Sequence, residues 1–152
     1  MPRRSAACVT MASERVVIDA SYLLEAVLPT SAQWQDEAFH LMSLVKVGDI
    51  EGRAPWLIYA EVAAVVSKRT RGRTISLETG LAFLADVDTL GIEIELSLEG
   101  SGALFAAAHR WQCGTFDALY VDLASRLNVS IATRDKGMMA AAKLAGVTIY
   151  SA

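Results

Sequence analysis

Short apolar runs alternate with longer stretches of helical periodicity along nearly the whole chain, and this alternation is what most restricts the fold. Strands separated by helices imply parallel pairing, with helices covering both faces of one sheet. Val16-Val17-Ile18 is a β-branched run ended by Asp19, the pattern of a buried strand. Ala20 to Leu28 reads as helix up to Pro29, and Thr30 with Gln33 reads as a capping box for a second helix reaching about Val47. Trp56-Leu57-Ile58 reads as a second strand entered through Pro55, followed by helix from Tyr59 to Arg69. Ser76 to Leu90 is helical and closed by Gly91; Ile92 to Leu96 then alternates strictly, as an edge strand does. Helix is expected over Ser97 to Gln112 and again over Phe116 to Leu127, with Thr115 as cap. Val129 to Thr133 is a fourth strand, Asp135 to Leu144 a helix, and Val147 to Tyr150 a short last strand.

The uniformly apolar first strand belongs at the sheet centre, and the third and last belong at its edges. Open parallel sheets bind ligands beyond the carboxyl ends of their strands, where strand order reverses. Asp19 and Asp135 each lie just past such an end. They meet there if the first and fourth strands are neighbours.

Composition narrows the class. At 152 residues, 53% hydrophobic and 20% charged, the chain suits one globular domain with a sizeable core. The reading is a three-layer α/β/α domain over residues 15–152, preceded by a disordered leader over 1–14 in which Met11 is a second candidate start. The segment after Pro2-Arg3-Arg4 is too short and too interrupted by Ser and Thr for a signal peptide. No apolar run can cross a bilayer, because the longest, 54–66, contains Glu61. Mean hydropathy of +0.35 is high for a monomer and points to a subunit interface. Cys8 and Cys113 lack metal-ligand spacing and read as free thiols in a reducing cytoplasm. His40 and His109 lie in separate helical stretches, which disfavours a histidine-based site. A net charge of −3 excludes a simple electrostatic nucleic-acid binder, but not an enzyme with acids at its centre and basic groups around it.

Four acids fall at one place in this scheme. Asp19 follows the first strand, Glu61 lies in the first turn of the helix after the second, Asp117 opens a later helix and Asp135 follows the fourth strand. Taken singly, each is explained as a helix cap or a first-turn acid favoured by the helix dipole. Together, they would repel unless a cation lay among them. Mg²⁺ suits such oxygen ligands, and Mn²⁺ fits the same set. Asp122, five positions after Asp117, is about 140° around the helix and reads as peripheral.

The neighbouring sequence goes beyond capping. VVIDAS, with Asp19 and Ser21, resembles the first motif of PIN-domain nucleases. PWLIYAEVAAVV, with Glu61, is similar to the second, TFDALYVDLASRLN, with Asp117, to the third, and IATRDKGM, with Thr133 and Asp135, to the fourth. The order and spacing agree over about Val16 to Tyr150, and size and layout resemble the VapC toxins of toxin–antitoxin pairs. The resemblance implies a five-stranded parallel sheet in order 3-2-1-4-5, metal-dependent endoribonuclease activity, a cognate antitoxin and a homodimer. It makes Asp19, Asp117 and Asp135 the metal ligands, with Glu61 binding through water or orienting the nucleophile. One departure is Ala64, where relatives often carry Asn.

Ser21 and Thr133 read either as orienting a carboxylate or bound water or as local backbone caps. For holding RNA, Arg134 and Lys136 flank Asp135, and Lys68, Arg69, Arg71 and Arg73 form the densest basic cluster. Cations at a helix C-terminus also have a purely structural explanation. Trp34, Trp56 and Trp111 suit base stacking or core packing. Rival folds fit less well. A phospho-receiver needs an acidic pair after the first strand, where Ala20 follows Asp19, and a haloacid-dehalogenase-type phosphatase needs Asp-x-Asp, where Ser21 stands third. The remaining alternative is a catalytically silent PIN-like scaffold that binds RNA or protein.

Overall fold

A computed structural model describes residues 13–96 and 100–152. Residues 1–12, with Cys8 and Met11, and the expected helix start at Ser97 lie outside the described residues. The element order is β1 (Glu14–Ile18), α1 (Ala20–Leu24), α2 (Ala32–Val47), β2 (Ile50–Pro55), α3 (Leu57–Arg71), α4 (Leu77–Asp88), β3 (Glu93–Glu95), α5 (Ser101–Trp111), α6 (Thr115–Leu127), β4 (Ser130–Ala132) and α7 (Lys136–Leu144).

All strand pairs are parallel, in the order β3-β2-β1-β4. Val16, Val17 and Ile18 are fully buried. Successive strand residues point to opposite faces, so both faces of β1 are covered. α6 packs on β1, β2 and β4, and α2 packs on β2. The edge position expected for the third strand holds. Arg53 on β2 binds Glu93 at 2.8 Å and Glu95 at 2.7 Å, which accounts for the polar face of β3.

Two expectations need correction. Among the described residues, the sheet has four strands, not five. Val147 to Tyr150 contributes only a single parallel bridge, Ile131 with Ile149, made by Ile131 N–H to Thr148 O (3.0 Å) and Tyr150 N–H to Ile131 O (2.9 Å). Of that segment only Val147 is buried, so little apolar surface holds it as a strand. The second strand is Ile50–Pro55, and Leu57-Ile58 begins α3. Inward positions of β2 are Ile50, Gly52 and Ala54; only Ile50 is large, so the segment does not stand out as an apolar run. Gly52 is closely packed there: a Cβ would lie 2.9 Å from Ile18 Cδ1 and 3.2 Å from Val45 Cγ1, so those side chains would have to shift. Leu57, Ile58, Val62 and Val66 instead form the buried face of α3.

Helix starts shift locally. Ser31, not Thr30, caps α2 by accepting from Trp34 N–H at 3.1 Å. Thr30 donates its N–H and hydroxyl to the buried Glu25 carboxylate, at 2.7 and 2.9 Å. Gly114, not Thr115, holds the N-cap of α6.

Candidate metal centre

The β1–β4 pairing brings the ends of these strands together, as the topology requires. Asp19 donates its N–H to Ala132 O at 2.9 Å, which fixes it beside the 133–135 turn. Asp19 stands at the N-cap of α1 but makes no side-chain cap bond. Both the Ser21 and the Thr133 hydroxyls donate to its Oδ2, the latter at 2.8 Å. The Arg134 N–H donates to Ser21 Oγ at 2.9 Å, and the Asp135 N–H to Thr133 Oγ1 at 3.0 Å. Ser21 and Thr133 therefore each accept from a backbone amide and donate to the Asp19 carboxylate.

The other acids are held differently. Asp135 caps α7 by accepting from Met138 N–H at 2.8 Å, so the capping explanation holds for one of its oxygens. Asp117 lies in the first turn of α6 and points back toward Gly114. Glu61 is the fifth residue of α3, not in its first turn as expected, because the helix begins at Leu57. The Tyr120 hydroxyl, fully buried on α6, donates to its Oε2. Burial, with the Glu61 bond and nearby acids, pushes the Tyr120 phenol far above its usual range, so it stays a donor.

Electrostatics tie the four acids together. Burial raises the pKa of Asp19 against the pull of the Ser21 and Thr133 hydroxyls and the weaker pull of the Ser21 amide, and Asp117 raises it further. Burial also raises Glu61, and the charges of Asp19 and Asp117 add to the rise. Asp117 is raised by burial and then by Asp135. Among the described residues, no basic side chain is one of the groups that shift these three acids. Among those residues, the carboxylates repel one another without a countercharge beside them. Among the described residues, no three acid, His or Cys side chains form a ready-made ligand shell. The donor set is nonetheless all oxygen, and it suits a hard divalent ion that keeps several waters.

The basic residues do not all reach this site. Arg134 turns away and pairs with Glu37 of α2. Its guanidinium lies over the rings of Tyr22 at 4.4 Å and Trp34 at 4.9 Å. That corrects its expected role as a free phosphate contact: it fastens the 133–135 turn to α1 and α2. Lys136 is exposed beside Asp135. Lys68 and Arg69 are exposed in the last turn of α3, about 10–12 Å along the helix from Glu61. Asp122 pairs with Arg126 at 2.7 Å on the surface of α6. Trp111 is core, whereas Trp56 and Trp34 remain partly exposed. Sequence reasoning missed Tyr120, whose signal was its place three residues after Asp117 and hence on the same helix face. It also missed Glu37 and Trp34 as partners of Arg134; no local pattern marks them.

No protein-family description matches the chain, and no curated protein matches it. Among solved structures, it is similar to PAE2754 of Pyrobaculum aerophilum, with a TM-score of 0.65 and 18% identity over 91% of this chain and 85% of that one. At that identity the likeness concerns the fold alone.

Proposed function

We propose that this chain is a divalent-metal-dependent endoribonuclease of the PIN type, with the layout of VapC toxins. The observation that carries the reading is the grouping of Asp19, Glu61, Asp117 and Asp135: burial first, and then neighbouring acids, raise the pKa of Asp19, Glu61 and Asp117, with no basic side chain among the described residues that shift them. The four ordered motifs around these acids support it. Bound Mg²⁺ or Mn²⁺ would offset phosphate charge and make water a better nucleophile near neutral pH.

In this reading Asp19, Asp117 and Asp135 hold the cation, and Glu61 binds it through water or orients the attacking water. Ser21 and Thr133 fix Asp19 by one oxygen, so the carboxylate needs little rearrangement when a ligand arrives. Lys136 is the nearest exposed cation in sequence to the acids and the best candidate to meet the RNA phosphate. Lys68 and Arg69 would contact the backbone farther along the strand. A cognate antitoxin, a homodimer and a cytoplasmic location belong to the same proposal. No helix among the described residues is long and apolar enough to cross a membrane.

The test is cleavage of a structured RNA by the purified protein. Cleavage is expected with Mg²⁺ or Mn²⁺, lost with EDTA, and reduced more than about 100-fold by Asp19→Asn, since even outer contacts of metal ligands are worth 10–100-fold. Cleavage that survives EDTA and Asp19→Asn contradicts the metal mechanism. Absence of cleavage together with absence of metal binding favours the silent scaffold.

A further inference from the structure

Each acid with an identified hydrogen-bond partner at this site is held by an uncharged donor. Asp19 has the hydroxyls of Ser21 and Thr133, Asp135 has the Met138 amide, and Glu61 has the Tyr120 hydroxyl. Such donors fix a carboxylate in place without neutralising it. The Tyr120 contact differs in joining two helices. Glu61 comes from α3, while Tyr120 comes from α6, one turn beyond Asp117. The ring is fully buried in the core, so its hydroxyl has a fixed position. α6 thus supplies one acid, Asp117, and also the group that places the acid of α3 beside it.

We infer that Tyr120 is a positioning residue that fixes Glu61 by its Oε2 and so sets how the carboxylate faces a bound divalent cation or its water. The inference rests on the metal-nuclease reading above. It assigns a task to a side chain whose aromatic character alone suggests core packing. Tyr120→Phe removes the hydroxyl and keeps the ring, and the half-buried Glu61 can then adopt other rotamers.

The experiment is Mn²⁺ titration, followed by RNA kinetics, for wild type, Tyr120→Phe, Glu61→Ala and the double variant. Tyr120→Phe is expected to weaken Mn²⁺ binding by about tenfold, as loss of an outer contact to a metal ligand does. It should lower kcat and leave KM for RNA unchanged. In the Glu61→Ala background, Tyr120→Phe should change Mn²⁺ affinity less than about twofold, because its effect runs through Glu61. Should Tyr120→Phe not fold, Glu61→Asp serves instead: it draws the carboxylate back from the hydroxyl and is expected to weaken Mn²⁺ binding similarly. Wild-type affinity in the variant, or an equal loss with and without Glu61, overturns the inference while leaving the metal site standing. A wild-type protein that binds no Mn²⁺ overturns the metal reading and this inference with it.

Discussion

Asp19 is buried, and its hydroxyl partners do not offset the cost of its charge, so its pKa lies above the ordinary 3.8. The sign of the linked stability follows. Below the unfolded pKa both states hold the proton and the fold keeps its full stability. As pH rises the unfolded chain ionises first, and stability falls until the folded carboxyl has ionised too. Asp117 and Glu61 act in the same direction from ordinary values of 3.8 and 4.5. Glu37 and Glu51 act oppositely, the first lowered by Arg134 and the second by Ser13 and then Arg53. The clean readout is therefore the difference between wild type and Asp19→Asn in metal-free buffer. Asp19→Asn is expected to be more stable than wild type at neutral pH, read as a higher Tm. That gain should vanish as pH falls toward 4. A variant less stable than wild type at neutral pH contradicts the assignment of an uncompensated charge to Asp19.

At the level of elements, Arg134 has a structural task. Its pair with Glu37 and its place over Tyr22 and Trp34 tie the turn after β4 to α1 and α2. Arg134→Ala is expected to lower stability in urea unfolding by about 1–3 kcal/mol, from lost cation–π and packing contacts, with a change in Trp34 fluorescence. An unchanged midpoint and spectrum would mean that the guanidinium does not hold this turn in solution. How well the sequence reveals an element depends on what its residues bury. β1 is plain because Val16, Val17 and Ile18 are all large and all buried. β2 is not, because Gly52 packs closely against Ile18 and Val45 with no side chain of its own, and Arg53 turns to the edge network. Trp56-Leu57-Ile58 is apolar enough for a strand, yet a helix places Leu57 and Ile58 on one face with Val62 and Val66. Three of the four acids could be placed from strand and helix ends. The turn of α3 that carries Glu61, and its bond to Tyr120, depend on contacts between distant elements.

For the whole molecule, similarity to PAE2754 at 18% identity shows how little the fold depends on particular residues. In this chain the fold follows the alternation of strand and helix around one fully buried central strand, β1. Parallel order then sets β1 beside β4 and places Asp19 against the 133–135 turn. The last segment, 147–150, makes one bridge, at the sheet edge farthest from β3. Large apolar side chains such as Leu77, Leu81 and Phe105 remain exposed on the helices, which agrees with the high mean hydropathy.

The central claim is that this carboxylate cluster takes its countercharge from a divalent cation. The most direct measurement is the Tm of the metal-free protein at neutral pH as Mn²⁺ is added. A ligand at 100 times its Kd stabilises by about 2.7 kcal/mol, which for a chain of this size corresponds to a rise of about 5–10 °C. That rise is expected in wild type and expected to be absent in an Asp19→Asn/Asp117→Asn double variant. A wild-type Tm indifferent to Mn²⁺, or an equal rise in the double variant, contradicts the claim.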